Sequence, residues 1–141
     1  MQAAPVAAEP LAAALANRVA RINQVLRAST SSRSTASLLV LRRLDDEGAQ
    51  RITDLAAAEL VAQPTMTGIV RRLEADGLVR RTPDPDDARA SSIALTRAGA
   101  EELAAVRSAR AAALQTRLDR LDAGARDALA AALPALDQLL A

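Results

Sequence analysis

Residues 52–99 read ITDLAAAELVAQPTMTGIVRRLEADGLVRRTPDPDDARASSIALTRAG, and this stretch decides the fold. Met66, Ile69, Val70 and Leu73 fall on one side of a helix, since apolar residues spaced by three and four share a face. Pro64 suits the first turn of that helix, where a missing N–H costs nothing. Gly77 is a left-handed stop. Leu78–Thr82 and Ser92–Leu95 then read as two strands around Pro83-Asp84-Pro85-Asp86, a turn-forming tip. Thr96 caps a new helix. This order describes a helix-turn-helix followed by a β-hairpin wing. Such a unit offers one helix to the major groove of DNA and one basic finger to the minor groove.

Outward from this core, Thr53 is the expected cap of a short third helix holding Leu55 and Ala56, and Leu60-Val61-Ala62 forms the turn after it. A first helix is expected from Pro10, with Leu11, Leu15, Val19, Ile22 and Leu26 at helical spacing, after a frayed segment at 1–9. The polar break STSSRST at 29–35 leads into a second helix that carries Leu38, Leu39, Val40, Leu41 and Leu44 and ends near Gly48. Beyond Thr96 a long fifth helix holds Leu103, Val106, Leu114, Leu118 and Leu121, with Glu101 and Glu102 favouring its N-terminal dipole end. Asp122 caps a last helix whose stripe includes Leu129, Leu133, Leu136, Leu139 and Leu140, and Pro134 is expected to kink it. The fold class is mainly α with a small β-hairpin wing. The expected divisions are an N-terminal dimerisation helix at 1–33, a winged helix-turn-helix at 34–97 and C-terminal dimerisation helices at 98–141.

Composition narrows the function. Half of the 141 residues are hydrophobic, yet Phe, Tyr and Trp are absent. Aromatic side chains bring the largest burial per residue, so long Ala/Leu helices are expected to bury one another in a homodimer. Without Cys or His there is no disulfide, no thiolate chemistry, no Ser-His or Cys-His nucleophile and no ordinary zinc site. No catalytic residue, metal or cofactor is expected. The triplet Asp84, Asp86 and Asp87 lacks the Gly and Glu of a calcium loop and is explained by turn chemistry. Every basic residue is Arg, and the net charge is only +1, so a nucleic-acid surface must come from placement. No apolar run spans a bilayer and MQAAPVAAEP lacks the basic start of a signal peptide, so a cytoplasmic protein with no membrane partner is expected.

The run QPTMTGIVRRLEADGLVRRTPDPDDARASSIALTRAG resembles the multiple-antibiotic-resistance regulator (MarR) family. The carriers are the recognition helix, Gly77, the Asp84–Asp87 tip, Arg89 and Leu95-Thr96, in that order. The resemblance implies a homodimer with two winged lobes on a base of N- and C-terminal helices. It implies repression at a pseudo-palindromic operator and release of double-stranded DNA by a small effector, anionic or apolar. Three positions depart from the family pattern. Ala62 stands where Ser often caps the recognition helix, Gly68 where a larger DNA-facing side chain is common, and Ala88 where a second wing Arg or a Gly is frequent.

The candidate DNA-binding residues are Gln63, Thr65, Thr67 and Arg71 on the fourth helix, and Arg80 and Arg89 on the wing. Thr and Gln hydrogen-bond base edges or phosphates, and Arg reads guanine with two bonds. The competing reading of the same helix is an ordinary solvated face. Asp87 is expected to orient the wing: two residues apart on extended chain, its carboxylate and the Arg89 guanidinium point the same way. Arg18, Arg21, Arg27 and Arg33 form either an anion pocket or a solvated helix face. The rival function is a winged-helix interaction module that no longer binds DNA, favoured by Ala62, Gly68 and the low net charge.

Overall fold

A computed structural model describes residues 10–30 and 33–141. Their elements run α1 (Leu11–Ser29), α2 (Thr35–Glu47), β1 (Gln50–Arg51), α3 (Ile52–Ala58), α4 (Gln63–Ala75), β2 (Val79–Pro83), β3 (Ser91–Leu95), α5 (Arg97–Leu118) and α6 (Ala123–Leu140). The expected fraying at 1–9, and the part of the polar break at 31–32, lie outside the described residues. The chain divides into two compact units. One comprises 31–108; the other takes its residues from 1–30 and 109–141.

The 31–108 unit is the winged helix-turn-helix. Ser34 caps α2 by accepting from the Ser37 amide at 3.2 Å. Val40, Leu41 and Leu44 of α2, Leu55 of α3, and Met66, Ile69, Val70 and Leu73 of α4 are buried together. Leu78 just ahead of β2, Val79 and Ile93 of the sheet, and Leu103 of α5 complete this core. Leu, Ile, Val and Met, with Ala56, form it without any aromatic ring. Gly77 follows α4 with φ +72°, a conformation glycine adopts without steric cost. The chain turns there into β2. Thr96 then secures the start of α5: its hydroxyl donates to the Gly77 carbonyl at 2.7 Å and accepts from the Gly99 amide at 3.1 Å.

The sheet has three antiparallel strands in the order β1-β3-β2, not the hairpin alone. β1 is two residues long, pairing Gln50 with Ile93 and Arg51 with Ser92. Two expectations are corrected by where the helices begin. Thr53 does not cap α3, because the helix begins at Ile52 directly from this strand and its cap position is Arg51, whose side chain makes no capping bond. Glu101 and Glu102 do not lie in the first turn of α5. Glu101 pairs with Arg97 at 2.8 Å and Glu102 with Arg33 at 2.9 Å.

In the other unit, Asp122 caps α6 by accepting from the Ala125 amide at 2.7 Å, and Pro134 lies inside the helix. Neither α1 nor α6 contains a buried residue. Leu133 of α6 is 59% exposed and Leu140 is 84% exposed; Leu129, Leu136 and Leu139 are uncovered with them. Among the described residues no helix is long and apolar enough to cross a membrane.

Candidate nucleic-acid interface

The buried stripe of α4 fixes which side chains it presents outward. With Met66, Ile69, Val70 and Leu73 in the core, Gln63, Thr65, Gly68, Arg71 and Arg72 are exposed. Thr67 is half-buried and its hydroxyl donates to the Gln63 carbonyl at 2.9 Å, so that donor is already used within the helix. Met66 faces the core and is fully buried, so its thioether does not belong to the exposed face. Ala62 occupies the cap position of α4 without a side-chain bond. A Cβ added at Gly68 would meet nothing within 4 Å, so the lobe's own packing does not require glycine there.

On the wing, Val79 is buried and pairs with Leu95, and Arg80 pairs with Ala94. Alternation along the strand puts Arg80 and Arg81 on opposite faces. Arg81 reaches Glu74 at 3.3 Å, whereas Arg80 has no acidic partner among the described residues. The tip is built from local bonds. Ala90 donates its amide to the Asp87 carbonyl at 3.0 Å, closing a turn over 87–90 that carries Arg89 at an exposed position. Asp87 bonds the main-chain amide of Arg89 at 2.9 Å, not its guanidinium. The extended geometry expected for this pair is absent because an Asp side chain at the start of a turn captures the amide two residues on.

A residue that the sequence marks only as part of the turn also holds the wing at its root. Asp84, with its side chain 5% exposed, receives Arg51 Nε at 2.6 Å and Arg51 Nη2 at 2.9 Å. It also accepts from Ser92 Oγ at 3.1 Å and from the amides of Asp86 at 2.9 Å and Asp87 at 3.1 Å. The Arg51 guanidinium and these donors hold the Asp84 carboxyl well below the usual carboxylate range, and Asp84 raises Arg51 in turn. The turn chemistry of the tip therefore includes an ion pair to a residue 33 positions earlier in the chain. Sequence spacing carries no mark of it.

Ion pairing sorts the arginines of this unit. Arg33 bridges Asp76 at 2.7 Å and Glu102 at 2.9 Å, so it is not a free cation for an anion pocket, and both partners raise its pKa. Arg43 pairs with Glu47 and Glu59, and Arg107 with Asp45. Arg42, Arg51, Arg81 and Arg97 also have carboxylate partners. Among the described residues, those of 31–108 without one are Arg71, Arg72, Arg80 and Arg89, on α4 and the wing. The unsatisfied positive charge of the lobe is thus confined to the two elements a winged helix turns toward nucleic acid. No group of three His, Cys, Asp or Glu among the described residues is arranged to hold a metal ion.

Helix-turn-helix, three-stranded wing and this distribution of charge define a winged-helix DNA-binding protein. Residues 34–91 match the model of the MarR family. An HTH-type transcriptional regulator of Mycobacterium bovis is 36% identical over 124 residues, which cover 86% of this chain and 87% of that protein. Two solved transcriptional regulators have the same fold. One from Pseudomonas aeruginosa superposes with a TM-score of 0.81 at 30% identity, over 92% of this chain and 93% of that one. One from Thermotoga maritima gives 0.73 at 30% identity, over 93% and 94%. The chain belongs to the MarR family of helix-turn-helix transcriptional regulators.

Proposed function

We propose that the protein is a homodimeric repressor that binds a pseudo-palindromic operator, with α4 in the major groove and the wing in the minor groove of each half-site. Arg71 contacts base edges, Gln63 and Thr65 contact bases or phosphates, Thr67 accepts from a base amino group through its free lone pairs, Arg80 contacts backbone phosphate, and Arg89 enters the minor groove. The observation that carries the reading is the confinement of the unpaired arginines Arg71, Arg72, Arg80 and Arg89 to α4 and the wing. A lobe that only docked a protein would have no reason to leave those positions uncompensated while pairing Arg33, Arg43 and Arg51.

The homodimer reading is supported by α6, where Leu129, Leu133, Leu136, Leu139 and Leu140 are uncovered in a single chain. Contiguous apolar surface of this kind marks an association site. Removing residues 129–141 is expected to leave aggregated or unfolded protein; a folded monomer in sedimentation and circular dichroism contradicts the dimer. Release by a small effector, anionic or apolar, is part of this reading and is supported by family membership; no aromatic ring is present to stack on a phenolic one.

Salt dependence tests the DNA reading. Neutralised phosphates release counterions, so affinity falls steeply with salt. Operator duplexes are first recovered by selection from a random library. Replacing Arg80 by Ala is expected to reduce the salt slope by about 1, the mark of a lost phosphate contact. Replacing Arg107, which Asp45 already engages at 3.1 Å, is expected to leave it unchanged. Failure of the parent protein to bind any selected duplex would transfer the function to the interaction-module reading.

A further inference from the structure

Arg51 lies on β1 and Asp84 directly follows β2, the two outer strands of a sheet ordered β1-β3-β2. The guanidinium therefore reaches past the central strand to grip the first residue of the wing turn. It does so with two bonds, at 2.6 and 2.9 Å. The geometry is that of a planar fork meeting a carboxylate, which fixes direction as well as distance. Ser92, the cross-strand neighbour of Arg51, adds its hydroxyl to the same carboxylate.

From Asp84 the order passes along the turn. The carboxylate takes the amides of Asp86 and Asp87, and the Asp84 amide donates to the Ala90 carbonyl at 3.1 Å. Asp87 then takes the amide of Arg89 at 2.9 Å. A continuous set of bonds thus runs from the residue immediately before α3 to the backbone of Arg89. The Arg89 side chain itself has no partner among the described residues, so its position depends on where that backbone is held.

We propose that Arg51 is a positioning residue for DNA recognition: through Asp84 it sets the pose of the wing turn, and with it the point at which Arg89 meets the minor groove. The proposal rests on the reading of Arg89 as a DNA contact. Asp84 is the relay, and Arg51 need not touch DNA.

The test is a double-mutant cycle on the full chain, with duplexes from the selection whose flanks are varied between A·T and G·C at fixed salt. A·T tracts narrow the minor groove and favour an inserted Arg. Arg89→Ala is expected to weaken binding to the A·T-flanked duplex about tenfold, the size of one lost contact, and to reduce the flank preference. Arg51→Gln is expected to reduce that preference too, and the double variant to bind no more weakly than Arg89→Ala alone. Residues that act through one another are non-additive in this way. Additive losses, or an Arg51→Gln loss equal on both flanks, overturn the positioning role and leave the wing reading standing. No loss from Arg89→Ala overturns the wing reading and the proposal with it. If Arg51→Gln does not fold, Arg51→Lys serves in the same cycle, because it keeps the charge and loses the fork; additivity there is equally fatal.

Discussion

Gly99 packs so closely on Leu78 that a Cβ on it would lie 2.1 Å from the Leu78 carbonyl oxygen. That oxygen is backbone, and it also accepts the Thr96 amide at 3.0 Å, so it cannot withdraw without breaking the junction between α5 and the sheet. Gly99→Ala is expected to destabilise the lobe by about 3 kcal/mol, the upper range for overpacking. Denaturant unfolding measures it; an unchanged midpoint would mean that the junction yields.

Leu60, in the turn between α3 and α4, has φ +54° and is 93% exposed. A branched side chain in the left-handed region is strained, and here it gains no burial in return. Leu60→Gly is expected to raise stability by about 1 kcal/mol, the strain relieved less the added freedom of the unfolded chain. A lower midpoint in urea would show that Leu60 makes a contact elsewhere.

Ala62 leaves the first amides of α4 without a side-chain acceptor. Its backbone already has the extended conformation of a cap residue, with φ −64° and ψ 143°. Ala62→Ser is expected to stabilise the protein by about 1 kcal/mol, measured in the same way. A neutral result would indicate that water serves these amides equally well.

Acid should reveal the root of the wing. The Asp84 carboxyl is depressed below its ordinary value of 3.8. The unfolded chain therefore takes up this proton before the folded protein does. The stabilisation is present in full above that ordinary value and is lost as pH falls through it toward the folded value. Asp84→Asn is expected to lower stability at neutral pH and to flatten the decline between about pH 5 and about pH 2. Urea midpoints across that range for both proteins check this; parallel declines would contradict it.

Much of the lobe was legible because its signals are local. Met66, Ile69, Val70 and Leu73 declare one buried face by spacing alone, and Gly77, Thr96 and Asp122 act on residues within a few positions of themselves. β1 escaped because two residues carry no periodicity; the strand exists only through its pairing with β3. The grip of Arg51 on Asp84 escaped for the same reason, since it joins distant parts of the chain. Among the candidate site residues, exposure at Gln63, Thr65 and Arg71 followed from the buried stripe opposite. The half-buried position of Thr67 did not, nor did the preference of Asp87 for an amide over a guanidinium. The missing aromatics pointed to a thin core, yet the 31–108 unit assembles one from Leu, Val, Ile and Met, and the uncovered leucines gather on α6.

The two DNA-reading elements can be separated by affinity measurements at fixed salt, using a duplex series in which each operator position and each flank is varied. The major groove distinguishes all four base-pair orientations, whereas the minor groove mainly separates A·T from G·C. Arg71→Ala is expected to relax the preference at one position of each half-site by about 1–3 kcal/mol, with flank dependence intact. Arg89→Ala is expected to do the reverse, losing affinity most on A·T flanks while every base preference within the half-site survives. Both side chains are exposed and without ion-pair partners among the described residues, so thermal stability should stay unchanged. An Arg89→Ala protein that binds every flank as tightly as the parent, beside an Arg71→Ala protein with unaltered base preference, would contradict DNA reading by this lobe.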